Sequence, residues 1–272
     1  MMDDVPEKIK TREEDSHKYD FGSLLVVGGS KTYSGSPTFN SLAAYRSGVD
    51  LVTTASPKRA ADIIASFSPS LIVEPLEGDY VSPEYLGRLE ELEENADAVL
   101  IGGGLERRTE TFKTVTEFLK QVEIPAVIDA DAIHAVARNK DILREGFVLT
   151  PHAREFEVLT GEEVTEENAR KAAEELGCVI LLKGKEDVIT DGDEVLKNGT
   201  GNQYMTVGGT GDTLAGIVGS LLAQGLDPLE AAYRGAWING KAGEIASEEK
   251  GVGMLPDDLL EKIPQAIQES EG

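Results

Sequence analysis

The run GNQYMTVGGTGDTLAGIVGSLLAQG, residues 201–225, places one aspartate at the mouth of a glycine turn that opens a helix. Gly208, Gly209 and Gly211 let the backbone adopt positive φ and come close to a ligand, and Leu214, Ile217, Val218, Leu221 and Leu222 recur with helical spacing. The first amides of such a helix have no internal partner. Together with the helix dipole they suit a phosphate. A ligand of that charge repels a neighbouring acid, so Asp212 reads as a base that accepts a proton from a hydroxyl being phosphorylated. The alternative is a first-turn acid that only stabilises the helix dipole.

Outward from this run, short apolar stretches alternate with helix-period segments. Strands are predicted at 24–27, 51–54, 71–73, 98–101, 126–128, 147–149 and 179–182. This alternation predicts a mostly parallel sheet with helices on both faces, in one α/β domain. The pattern changes after Lys183. Residues 188–190 and 194–197 flank Asp191-Gly192-Asp193 as a hairpin, and three helices follow near 212–223, 228–247 and 256–268. Residues 1–17 are expected to be an extended or partly ordered N-terminal segment.

With 272 residues and 40% hydrophobic content the chain can bury a substantial core. It lacks the roughly 18 uninterrupted apolar residues of a membrane span, and its acidic, polar start is unlike a signal peptide, so a cytoplasmic location is expected. Fifty acids against 26 bases give a net charge of -24, which disfavours nucleic acid and anionic membranes as partners. A phosphate ligand then needs a locally positive site made by helix termini, lysines and Mg²⁺. A saline or hot habitat would account for the acidity. Cys178 is the only cysteine, which excludes an internal disulfide, and it reads as a buried strand residue.

Ligands of open α/β sheets gather beyond the carboxyl ends of the strands, and several loops there are unusual. GGSKTYSGSP, residues 28–37, has neither P-loop nor Rossmann spacing; it either cradles a polar ligand or forms a turn capped by Ser36 with Pro37 opening a helix. Gly102-Gly103-Gly104 either brings amides to a ligand or is a loose turn. Asp129 and Asp131 could hold a metal, or Asp131 could be a helix N-cap. His152 and Glu155 share a face at a helix start, where Glu155 could orient hydrated Mg²⁺ and His152 a substrate, or the two could form a capping box. His17 and His134 read as structural or exposed. Lys183-Gly184-Lys185 offers charge and an exposed turn to a nucleotide phosphate or ribose.

These segments together resemble the ADP- or ATP-dependent NAD(P)H-hydrate dehydratases of the ribokinase-like superfamily, from about Lys18 to about Gln268. The resemblance is carried by GGSKTYSGSP, AAYRSGVDLVTTASP, IGGGL, VIDADAIHAV, LTPHAREFEVLTG, LLKGKEDVIT and the opening run. GGTGD alone is shared by many ribokinase-like kinases. The YSGSP loop, the TPH followed by EF, and the NGTGN lead-in are more specific.

The resemblance implies a three-layer α/β/α fold and a lyase that first acts as a kinase. A nucleotide phosphoryl group passes to the C6 hydroxyl of the hydrated S-epimer (NADHX or NADPHX), and phosphate then leaves. It implies Asp212 as base, the amides of Gly209 to Asp212, Gly211 included, as the oxyanion site, and substrate contacts from Ser36, Gly104, His152 and Asp212. Lys183, Gly184, Lys185, Glu186, Asp187 and Gly211 would bind the nucleotide, with Glu155 at the magnesium-motif acid. ADP is the expected donor, a homo-oligomer such as a tetramer the expected assembly, and a separate epimerase the supplier of the S-epimer. The chain departs from the family pattern at Ser36 (usually Ala), Gly103 (usually Pro), Glu106 (usually Gly) and Ala153-Arg154 (usually Pro-Gly). The rival readings are a small-molecule kinase for a vitamin-precursor alcohol and a non-catalytic nucleotide-binding regulator.

Overall fold

A computed structural model describes residues 6–270. Nine strands form one sheet: β1 (Ser23–Val27), β2 (Leu51–Pro57), β3 (Ile72–Leu76), β4 (Ala98–Ile101), β5 (Ala126–Ile128), β6 (Phe147–Leu149), β7 (Val179–Leu182), β8 (Asp187–Thr190) and β9 (Val195–Asn198). Their order is β3-β2-β1-β4-β5-β6-β7-β8-β9; the pairs are parallel through β7, whereas β7–β8 and β8–β9 are antiparallel. The predicted hairpin forms, and its turn is held by the Asp191 carboxylate, which accepts from the amides of Asp193 (2.9 Å) and Glu194 (2.8 Å).

The apolar strand runs are continuous because both faces of the sheet are covered, and successive side chains enter opposite layers. Leu24, Val26, Ala98, Leu100, Val127 and Val148 pack into one core with the helices Gly35–Arg46, Thr210–Ala223, Pro228–Lys250 and Pro256–Glu269. Their strand neighbours Leu25, Val27, Val99, Ile101, Ala126, Ile128, Phe147 and Leu149 pack into the other, with the helices Leu86–Glu93, Thr109–Gln121 and Asp131–Val136. Strand alternation therefore produces the three-layer α/β/α sandwich. Cys178 is buried just ahead of β7, and burial pushes its thiol up to about 12, which makes it inert at neutral pH.

The chain reverses its direction of sheet growth at β1, with β2 on one side and β4 on the other. That switch opens a crevice at the carboxyl ends of the two strands. Two glycine loops meet there: the Gly29 amide donates to the Gly103 carbonyl at 2.8 Å. Gly102 holds φ +145, and a Cβ on it would overlap the Asp129 carbonyl oxygen at the end of β5. Gly102→Ala is therefore expected to cost about 3 kcal/mol or more in urea unfolding; an unchanged unfolding midpoint would refute this reading.

The N-terminal segment that the structure describes contains a short helix, Glu7–Lys10. Arg12 then pairs with Asp50 at 2.8 Å and donates to the Gly48 carbonyl at 2.7 Å. Residues 1–5 lie outside the described residues.

Candidate active site

The helix Thr210–Ala223 begins two residues ahead of the start read from the sequence, so Asp212 lies inside its first turn, with Gly209 as N-cap at φ +111. A side chain on Gly209 would meet Pro256 and Phe39, so this turn is packed as well as left-handed. Regular helix bonding starts with the Thr213 amide on the Gly209 carbonyl (3.0 Å), which leaves the amides of Thr210, Gly211 and Asp212 in the unpaired first turn.

Asp212 is the third residue of that helix. The Ser36 side chain lies against its carboxylate and favours the charged form, and the Asn40 side-chain amide donates to its carbonyl at 2.8 Å. Ser36 does not cap a helix. The helix Gly35–Arg46 starts one residue earlier, flanked by Ser34, so Ser36 and Pro37 both lie in its first turn. The missing amide hydrogen of Pro37 is harmless there, and the Ser36 side chain is released from capping to reach Asp212. Gly103 makes this approach possible. A Cβ on it would come within 2.9 Å of the Ser36 Cβ, 3.0 Å of Asn40 Oδ1 and 3.1 Å of Asp212 Oδ1. Asn40, one turn after Ser36 on the same helix face, is a site residue that the sequence reading missed; its i,i+4 spacing was the available signal.

Asp129 and Asp131 do not act as a pair. Ala130 between them has φ +49 and is itself the N-cap of the helix Asp131–Val136, so Asp131 is the first helical residue and not the cap. Asp131 accepts from the Glu106 amide and from Arg107 Nε, both at 2.9 Å. Asp129 is buried on the other side, where its Oδ1 accepts from Thr150 Oγ1 (2.7 Å) and Lys183 Nζ (3.1 Å). Lys183 is thus held at the carboxyl end of β7 by the carboxyl end of β5.

His152 and Glu155 form the reciprocal capping box of the helix Ala153–Thr160. The Glu155 amide donates to His152 Nδ1 at 3.1 Å, and the His152 amide donates to Glu155 Oε2 at 2.9 Å. Because Nδ1 accepts, the neutral ring carries its hydrogen on Nε2, which lies 3.4 Å from Glu155 Oε1. His152 can therefore donate to a ligand but has no free acceptor. His134, read from sequence as merely structural or exposed, lies beside this group. Its Nε2 is buried without a partner among the described residues, and burial and then Arg107 lower its proton affinity against the charges of Glu155 and Asp131.

The fields at the centre oppose one another. Burial, then the charge of Asp129, drives the Asp212 carboxyl up to about 7, and the Ser36 hydrogen bond and Lys183 only partly reverse this. Burial favours the neutral form of Lys183, but Asp129, Glu155 and Asp212 outweigh it and raise its proton affinity above the ordinary value. The site thus holds a fixed cation beside a carboxylate poised to exchange protons near neutrality.

Two hollows border the neighbours of Asp212, Gly211 in the first and Ser36 in the second. One, of about 620 Å³, is lined by Lys183, Gly184, Lys185, Asp187, Thr210 and Gly211 among others. The second, of about 630 Å³, includes Tyr33, Ser36, Gly104, Glu106, Arg107 and Asp131 in its lining. Glu186 faces neither; its carboxylate approaches Lys197 at 3.7 Å. Asp187 accepts from the Gly184 amide (3.0 Å) and from Asn198 (3.0 Å), and so shapes the loop that borders the first hollow. Burial raises its proton affinity against those two bonds.

No group of three or more His, Cys, Asp or Glu side chains is placed to hold a metal among the described residues. Both Glu155 oxygens already face His152. Glu155 would then be left to orient a hydrated magnesium ion, whose remaining ligands would have to come from water and phosphate.

The model of the NAD(P)H-hydrate dehydratase family matches residues 24–265. The chain belongs to this family. It is 45% identical over 267 residues, 95% of its length, to the bifunctional NAD(P)H-hydrate repair enzyme Nnr of Pyrobaculum aerophilum, of which it covers 53%. The chain spans about half the length of such bifunctional relatives. It is 40% identical over 274 residues to the ADP-dependent (S)-NAD(P)H-hydrate dehydratase of Cenarchaeum symbiosum, covering 98% of this chain and 95% of that one. Among solved structures, the ADP/ATP-dependent NAD(P)H-hydrate dehydratase of Bacillus subtilis, co-crystallised with ATP/Mg²⁺, superposes with a TM-score of 0.82 at 26% identity, over 99% of this chain and 96% of that one. The hydroxyethylthiazole kinase of Pyrococcus horikoshii shares the ribokinase-like fold at a TM-score of 0.65 and 18% identity, covering 92% and 89%.

Proposed function

We infer that this member of the family dehydrates the S-epimer of hydrated NADH or NADPH, using a nucleoside diphosphate, ADP, as phosphoryl donor. The observation that carries this reading is that the neighbours of Asp212 border two separate hollows. Gly211, its chain neighbour, lines the first, and Ser36, which lies against its carboxylate, lines the second. A base so placed can face a phosphoryl donor on one side and an acceptor hydroxyl on the other.

The nucleotide occupies the Lys183–Asp187 hollow, with its transferable phosphoryl group over the first-turn amides of the helix and beside Lys183. The hydrated nicotinamide enters from the Ser36 and Gly104 side, with His152 Nε2–H as a donor to it. Asp212 takes the C6 hydroxyl proton as that oxygen attacks phosphorus, and the amides of Gly211 and Asp212 stabilise the charge on the phosphoryl oxygens. Hydroxide is a poor leaving group and phosphate a good one, so phosphorylation prepares the elimination that the ring nitrogen drives. Mg²⁺, when bound, neutralises phosphate charge. The same reading includes a cytoplasmic location, a homo-oligomeric assembly such as a tetramer, and supply of the S-epimer by an epimerase. Among the described residues no helix is long and apolar enough to cross a membrane.

The test is recovery of reduced-nicotinamide absorbance when the protein is mixed with the verified S-epimer, Mg²⁺ and either ADP or ATP. Recovery is expected with ADP in preference to ATP. A folded protein that restores no absorbance with either nucleotide overturns the reading, and a stable phosphorylated product without elimination marks a simple kinase instead.

A further inference from the structure

We propose that Asp212 carries every proton transfer of the dehydration from a single face of the substrate, removing the C5 proton as well as the C6 hydroxyl proton, so that the elimination is syn. This rests on the function inferred above.

The reasoning starts from what dehydration requires. Loss of water from the hydrated ring breaks the C6–O bond and a C5–H bond. Phosphorylation deals with the first; the second needs a base. Among the other titratable groups at the carboxyl ends of β4 to β7, His134 has an Nε2 that is unpartnered among the described residues, but that atom is buried, and the following groups are already committed. Asp129 is buried and accepts from both Thr150 and Lys183. Glu155 is buried, its Oε2 accepts from the His152 amide and its Oε1 faces His152 Nε2 at 3.4 Å. His152 spends its acceptor nitrogen on the Glu155 amide. Asp131 is held by the Glu106 amide and Arg107, and Glu106 by Ser30 and Arg108. Lys183 keeps its proton beside three carboxylates. Asp212 differs: its carboxylate meets the Ser36 side chain, and its neighbours border both hollows, Gly211 the first and Ser36 the second.

A base that has just taken one proton must be emptied before it takes another, and the reaction itself provides the means. In the first step the C6 oxygen forms a bond to phosphorus, the donor's P–O bond breaks, and the hydroxyl proton rests on Asp212. In the second, the ring nitrogen's electron pair forms a C6=N bond as the C6–O bond breaks, and Asp212 returns its proton to the departing phosphate. In the third, the freed carboxylate takes a proton from C5, the C5–H electron pair becomes the C5=C6 double bond, and the electrons of the C6=N bond return to nitrogen. The products are the reduced nicotinamide, phosphate and the shortened nucleotide, with one proton left for solvent. No oxidant or other reactant is needed. A carboxyl group that titrates near neutrality serves both as acceptor and as donor in this cycle.

C5 and C6 are adjacent, so a carboxylate positioned on the C6 oxygen can reach only the C5 hydrogen on that same face. The experiment uses the S-epimer of NADHX bearing one deuteron at C5, prepared in each configuration and assigned by NMR, with the full-length protein, ADP and Mg²⁺. The mass of the reduced dinucleotide is then measured. Loss of essentially all deuterium from the isomer labelled on the oxygen's face, with full retention in the other, is expected. Loss from the opposite face assigns the C5 proton to a different group and overturns the proposal. Equal loss from both isomers assigns it to solvent and overturns it too. If no reduced dinucleotide forms at all, the functional reading fails first and the proposal falls with it.

Discussion

Asp212→Asn lowers turnover by about 10²- to 10⁴-fold while making the protein more stable. Both effects come from one cause. The folded protein holds this carboxyl at about 7 against an ordinary value of 3.8, because burial and Asp129 disfavour its charged form. Between those two values the folded state keeps a proton that the unfolded state has released, so stability falls as pH rises through that window and stays at the lower level above it. Asparagine removes the buried charge. At pH 8 the variant is therefore expected to gain about 2–4 kcal/mol, seen as a melting temperature several degrees higher. Near pH 4 the gain should vanish. The catalytic side has the opposite dependence: the carboxylate is the active form, so kcat/KM of the wild-type protein should decline as pH falls below about 7. A variant that keeps full turnover would remove Asp212 from the chemistry. One that loses both turnover and stability would indicate damage to the fold.

Gly211→Ala is the complementary experiment, because it leaves every functional group in place. Gly211 is the second residue of its helix and is absent from the positive-φ glycines, so alanine fits the backbone. The only heavy atom within 4 Å of a Cβ there, among the described residues outside its own helix turn, is Lys183 Nζ, at 3.6 Å. The fold is expected to survive, with stability unchanged or raised by about 0.4–1 kcal/mol through the lower entropy of the unfolded chain. The new methyl group, however, stands beside the Lys183 ammonium at the first turn of the helix, in the wall of the hollow proposed for the nucleotide. A phosphoryl group kept away from those donors loses their stabilisation, and turnover should drop by about 10²- to 10³-fold. Turnover within a factor of about two of wild type would refute the anion-hole assignment.

Strand positions were legible in the sequence because a doubly covered parallel sheet leaves uninterrupted apolar runs. The limits 98–101, 126–128, 147–149 and 179–182 agree with the structure residue for residue. The hairpin turn at Asp191-Gly192 and the glycine-fronted helix at 210 were equally local, since backbone preference alone favours them. The sequence by itself thus determined the class of fold, the alternation of elements and the glycine-fronted helix with Asp212 near its start.

Tertiary structure decided what those elements mean to one another. Sheet order brings the ends of β1, β4, β5, β6 and β7 side by side, and no local pattern encodes that order. It also resolved choices that local energies leave nearly balanced. His152 and Glu155 cap a helix, Asp129 turns to Lys183 while Asp131 turns to Arg107, and Ser36 reaches Asp212 from inside a first turn. A polar side chain near a helix start has several partners of similar worth within its own turn. The choice among them falls to residues far along the chain, such as Lys183 opposite Asp129, 54 positions away. The proton affinity of Asp212 has the same origin, because the burial and the Asp129 charge that raise it exist only when the chain is folded.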